Sequence, residues 1–173
     1  HGPLSVRRVH GDILSISLQD LPHPVCHPLT PRKQKSSGTA KGAISRSAVR
    51  RRLSAKAQLS AAPDYAETAA AAIREMYRQV GAAVIEDEQM TRGVIIRYLV
   101  LPGCIDNSLG VLDWIAESFP KKDVLVSLMS QYVPMGRAKT MPPLDRRITQ
   151  EEYDAVLSYL YLLELDNGYT CLL

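Results

Sequence analysis

Arg92-Gly93-Val94-Ile95-Ile96-Arg97-Tyr98-Leu99-Val100-Leu101-Pro102-Gly103-Cys104-Ile105-Asp106-Asn107-Ser108 is the stretch whose reading decides the fold. Val94 to Leu101 is a near-continuous apolar run of strand length, rich in β-branched residues. That composition suits a parallel strand covered on both faces. Pro102-Gly103 stops the run, and Asn107 or Ser108 is placed to cap a following helix. Cys104, Asp106 and Asn107 then fall in a loop at the carboxyl end of a strand, where α/β proteins carry their chemistry. Arg97 is the exception inside the run, because a cation there needs an anionic partner or a polar pocket.

Outward from this stretch the pattern continues. On the amino side, Pro63-Asp64-Tyr65-Ala66-Glu67 reads as a helix start, with Asp64 as N-cap and Glu67 completing a capping box. Ala66, Ala69, Ala70, Ile73, Met76, Tyr77 and Val80 recur at helical spacing, and Gly81 ends the helix. Glu86-Asp87-Glu88 is expected as a loop. On the carboxyl side, a helix over about 108–118 turns Leu109, Leu112, Ile115, Ala116 and Phe119 inward, with Trp114 anchoring its edge. Val124 to Met129 forms a second buried strand, making a β-α-β unit. A polar loop, 130–136, and a basic proline-containing loop, 137–147, follow. Thr149 with Glu152 then gives a capping box, Ile148 with Tyr153 a hydrophobic staple, and Asn167-Gly168 closes the last helix.

The chain of 173 residues is 46% apolar with net charge +3, enough for one domain with a core. The charge is uneven. Residues 1–56 hold 11 Lys/Arg against Asp12 and Asp20, a net +9, whereas residues 57–173 hold 10 Lys/Arg against 16 Asp/Glu, a net −6. This divides the chain at 56/57 into a basic low-complexity leader and an α/β portion. Ile13 to Leu18 alternates enough for a short strand, but His23-Pro24-Val25-Cys26-His27-Pro28 breaks regular structure, and 25–56 is expected to be largely disordered. Arg50-Arg51-Arg52 and the lysines upstream invite a nucleic-acid reading; no aromatic residue is interleaved to stack on bases, so a solvated tail is the simpler one. A targeting presequence and an out-of-frame start to the gene are further readings of the same stretch. The chain opens on His1 and not Met, as a partial chain would. No apolar run approaches the roughly 20 residues of a membrane span, and no secretory leader opens the chain, so the expected compartment is the cytoplasm. Cys26, Cys104 and Cys171 are too few and too far apart for a disulfide framework or a metal-ligand motif.

Arg97-Tyr98-Leu99-Val100-Leu101-Pro102-Gly103, followed by Asp106-Asn107-Ser108 and Leu112-Asp113-Trp114-Ile115, resembles radical S-adenosylmethionine proteins of the pyruvate formate-lyase activating enzyme type. Ile73 to Gly81, Ser127 to Pro134, and Arg147-Ile148-Thr149 leading to Tyr153 match in order and spacing. The resemblance covers about residues 57–169 and excludes 1–56. It implies an α/β fold, the carboxyl portion of a partial (β/α)6 barrel resembling a TIM barrel. It also implies S-adenosylmethionine and a 4Fe-4S cluster as cofactors, a 5′-deoxyadenosyl radical that abstracts hydrogen, and a glycyl-radical-type protein as partner. By the same resemblance Arg97 reaches toward S-adenosylmethionine, and Gln131 and Tyr132 line the adenosine pocket. The alternatives are a salt bridge for Arg97 and a polar strand end for the other two. Asp106 and Asn107 read as caps, and Cys104 as a small loop residue.

The departure from the family is in the iron site. The C-x3-C-x2-C loop of the family is absent, and the three cysteines do not replace it, so this chain is expected to be a truncated oxidoreductase without activity of its own. A half barrel would also expose strand edges for pairing with another chain. The alternative reading is a non-catalytic α/β module whose basic arm binds nucleic acid or an acidic protein.

Overall fold

The computed structural model describes residues 5–10, 12–17, 27–28 and 65–170, the first three segments by backbone course. The elements are β1 (Ser5–His10), β2 (Asp12–Ser17), β3 (His27–Pro28), α1 (Tyr65–Val80), β4 (Val84–Glu86), β5 (Gln89–Leu99), α2 (Ile105–Ser118), β6 (Val124–Met129), a 3-10 turn (Gly136–Thr140), α3 (Gln150–Leu162) and β7 (Tyr169–Thr170). They build a mixed α/β structure around one sheet ordered β1-β2-β5-β6-β7-β3, with β4 paired to β5. β2, β5, β6 and β7 are parallel neighbours, and β1 and β3 run antiparallel at the two edges.

Alternation along β5 and β6 separates two faces, as the pleat requires. Val94, Ile96 and Tyr98 of β5 and Val124, Val126 and Leu128 of β6 turn to one side. There they meet Ile73 and Met76 of α1, Leu112 and Ile115 of α2, and Val156 and Leu160 of α3 in one buried cluster. The three helices therefore share a face. The other face carries Ile95, Leu125 and Tyr169, and nearer the carboxyl ends Leu99, Leu101, Met129, Tyr132 and Leu144. Two tyrosine hydroxyls tie the helical layer: Tyr153 donates to the Leu128 carbonyl at 3.0 Å, and Tyr159 to Asp113 at 2.5 Å. Trp114 anchors its helix edge, edge-on to Phe119 and beneath the guanidinium of Arg74 on α1.

Several boundaries follow the sequence closely. α1 ends with Gly81 at φ +75, its N–H donating to the Tyr77 carbonyl. β6 spans the expected residues, and α3 begins on the expected capping box, both halves of which form. Ile148 and Tyr153, the staple pair, are both buried. The Asp64 cap lies outside the described residues.

Other boundaries need correction. The acidic stretch 86–88 is not a plain loop: Val84–Glu86 forms a strand that turns back on β5 through Asp87 and Glu88. α2 starts at Ile105 rather than 108, since the backbone can leave the Pro102-Gly103 turn directly into helix without a side-chain cap. Gly168 does not close α3. The helix ends at Leu162, Glu164 takes the left-handed position at φ +59, and the Leu165 and Glu164 N–H groups bond the Leu160 and Tyr161 carbonyls at 3.2 and 3.0 Å. This is a Schellman arrangement, with Leu165 and Leu160 in the same buried cluster. Ahead of residue 56, Asp12–Ser17 takes the place of the expected short strand and pairs parallel with Arg92–Arg97, while His27–Pro28, expected as a break, pairs with β7. The rest of the expected disordered segment, including Arg50 to Arg52, lies outside the described residues.

Candidate functional site

The carboxyl ends of β5 and β6 meet at the register Arg97 to Ser127 and Leu99 to Met129. Odd positions of β5 face away from the helices, so Arg97 leaves the strand on the face opposite the helical core. Its Nη2 donates to the Met129 sulfur at 3.3 Å. Gln131, just past β6, sends its Nε2 to the same sulfur at 3.4 Å. A thioether is a weak acceptor, so the Gln131 amide that bonds it keeps donor capacity for a stronger partner. Gln131 Oε1 is buried and has no hydrogen-bond partner among the described residues. An orphaned acceptor is costly and marks a place where a donor is wanted.

Tyr132 is used differently. Its hydroxyl donates to the Leu144 carbonyl at 2.8 Å, and its ring shares the apolar cluster of Leu99, Leu101, Met129 and Leu144. Burial, ahead of the nearby Cys104 and Asp145, pushes its pKa upward. Arg97 and Gln131 thus converge on Met129, while Tyr132 forms the apolar wall beside them and holds the loop above.

The turn after β5 is clamped from the next unit. Gly103 N–H donates to Glu152 Oε1 at 2.8 Å, and both oxygens of that carboxylate accept from Arg146 at 2.8 Å. Glu152 Oε2 also accepts the Thr149 N–H at 3.0 Å. The Arg146 bonds are the main cause holding the Glu152 pKa down to about 2. Gly103 sits at φ +67 with the Pro143 ring packed where a Cβ would stand. One carboxylate therefore joins the β5 turn, the 141–147 loop and the α3 start.

Asp106 and Asn107 do not cap α2 as expected. Asn107 is buried in the first turn, its Nδ2 donating to the Tyr98 hydroxyl at 3.1 Å, with Ser108 Oγ 3.2 Å from the same hydroxyl and 3.3 Å from the Cys104 carbonyl oxygen. Burial raises the Tyr98 pKa to about 12, so this network stays neutral. Cys104 is half-buried at the helix start.

Sequence reasoning missed Met129 as the meeting point and Tyr98 as the polar centre under α2. It read both as strand core. The one available signal was the alternation itself, which puts Arg97 and Met129 on one face and Tyr98 on the other. Among the described residues no group of three or more His, Cys, Asp or Glu side chains could hold a metal ion, and Cys26 and Cys171 lie outside them. Cys104 alone does not fit a 4Fe-4S cluster, which takes thiolates from several cysteines. No helix among the described residues is long and apolar enough to cross a membrane.

Comparison with known proteins adds one relative. No protein-family model matches the chain, and no solved structure matches it. Over 87 residues, 50% of this chain, the sequence is 34% identical to an uncharacterized protein of Methanocaldococcus jannaschii. The match covers 24% of that protein, so the chain spans about a quarter of the length of this relative.

Proposed function

We propose that this chain is the carboxyl-side portion of a radical S-adenosylmethionine protein of the pyruvate formate-lyase activating enzyme type, and that it supplies the part of the S-adenosylmethionine site that does not carry iron. The observation that carries this reading is the convergence of Arg97 and Gln131 on Met129 at the carboxyl ends of adjacent parallel strands. Consecutive parallel strands β5, β6 and β7 with their helices on one face are what one side of a (β/α) barrel requires, and they support the partial-barrel form of the reading. Arg97 offers a planar fork suited to the carboxylate of the ligand. Gln131 offers a donor and an unsatisfied acceptor, the pair needed at an adenine edge. Tyr132, packed in the apolar cluster with Met129, would form the apolar side of the adenosine site.

In the intact family S-adenosylmethionine and the cluster together supply a radical for hydrogen abstraction, in activating enzymes from a protein glycine. The cysteines here do not fit the cluster, so the reading assigns this chain binding and orientation of S-adenosylmethionine and no radical formation. Calorimetric titration of S-adenosylmethionine into the full chain tests it. Wild type should bind, Arg97→Ala and Gln131→Ala should each weaken binding by roughly tenfold or more, the cost of a lost charged or buried hydrogen bond, and Lys139→Ala should leave it unchanged. A wild-type chain that takes up no S-adenosylmethionine sinks the reading. Anaerobic reconstitution with iron and sulfide should give neither a four-iron absorption band nor 5′-deoxyadenosine; either signal overturns the second clause alone.

A further inference from the structure

Two surfaces at opposite ends of the sheet carry charge that the described structure does not use. At one end the β4–β5 hairpin presents Glu86, Asp87 and Glu88, beside Ile85 at 52% exposure. Asp87 and Glu88 adopt φ +48 and +62, the pair of left-handed conformations of a tight hairpin turn. Asn-Gly and Asp-Gly are the favoured sequences there, so Asp87 suits its position while Glu88 sits at the tip against its backbone preference. These acids have no ion-pair partner among the described residues.

At the other end, segment 133–147 presents Met135 at 66% exposure and Met141 at 38%, and its exposed residues include Arg137, Lys139 and Arg147 beside a single acid, Asp145. These three cations likewise have no ion-pair partner among the described residues. The segment is held in shape: Tyr132 bonds the Leu144 carbonyl, Pro143 packs on Gly103, and Arg146 is paired with Glu152. A basic and apolar surface fixed in advance loses little entropy on docking.

β5 is 11 residues long. At the usual rise of a strand, its ends are roughly 35 Å apart. The hairpin tip begins β5, and the basic segment follows the carboxyl end of its parallel neighbour β6, so the two surfaces do not meet within one copy. We propose that the acidic hairpin of one copy docks on segment 133–147 of a second copy, with Ile85 against Met135 and Met141 and the carboxylates against Arg137, Lys139 and Arg147. Apolar and charged complements of matching kind are present on this chain itself. Nucleic acid is the weaker occupant, because residues 133–147 contain no aromatic side chain to stack on bases. Each copy carries both surfaces, so association should grow with concentration.

Sedimentation velocity of the full chain over a range of concentrations tests this. At low salt the mean sedimentation coefficient should rise with concentration, and about 0.5 M salt should suppress the rise by screening. The double variants Arg137→Glu/Lys139→Glu and Glu86→Lys/Glu88→Lys, each checked for folding by circular dichroism, should each associate at least roughly tenfold more weakly, as like charges face each other. Mixing the two variants should restore association, since each then supplies the complement the other lost. A wild-type chain that stays monomeric, or a mixture that does not recover, overturns the proposal. Capture of an acidic peptide or of anionic vesicles by a chain that stays monomeric overturns it in favour of those occupants.

Discussion

A Cβ on Gly168 would stand 1.9 Å from the Val126 carbonyl oxygen, so the approach of β7 to β6 depends on the missing side chain. Gly168→Ala is expected to cost more than about 3 kcal/mol, because backbone must move, and urea denaturation would read the loss. At Gly103 the obstacle is the Pro143 ring, 2.3 Å from the same ideal position, on top of a left-handed φ. Gly103→Ala should cost about 1–3 kcal/mol and loosen the turn beneath Arg146 and Glu152. Glu164 is the opposite case. It holds the left-handed position that ends α3, and its exposed ion pair with Lys121 contributes little. Glu164→Gly should therefore raise the melting temperature, a gain of up to about 1 kcal/mol. Arg97 was legible from sequence as a cation in an apolar strand. Gly168 was visible as a glycine but misassigned, because close approach between strands leaves no local mark.

Among the elements, α3 was the most legible, since its capping box and staple are written in consecutive residues and act locally. Thr149→Ala should cost about 1 kcal/mol, the usual worth of an N-cap. Glu152 adds a pH dependence. Its carboxyl, at 4.5 when unperturbed, is held down to about 2 in the fold, chiefly by Arg146. A depressed carboxylate contributes stability that is present above the unfolded value and lost as pH falls through the folded one. Denaturant stability should thus decline from about pH 5 toward pH 2, and Glu152→Gln should flatten that part of the profile. The exposed Glu75–Arg78 pair also lowers a carboxyl, yet salt screens it and its removal should change little. α2 was less legible. Asn107 and Ser108 are good capping residues, but the Tyr98 hydroxyl beneath them claims both side chains, and that hydroxyl arrives from a strand.

At the scale of the molecule, β2 lies along one side of β5 over Arg92–Arg97. Deleting residues 1–56 should expose that edge, lower solubility, and speed amide hydrogen exchange in β5, measured against the full chain. The apolar runs of β5 and β6, the helical spacing of α1 and α3, and the break at Pro102-Gly103 were determined by sequence alone, because burial period and turn chemistry act over a few residues. Arg97 was already singled out at that level. Only the tertiary structure decided that Arg97 and Gln131 share the Met129 sulfur, that Glu152 clamps a turn 49 residues earlier, and that β2 continues the sheet. Each of those contacts joins separate elements, and their partners are chosen by strand register and helix packing, which no local pattern encodes.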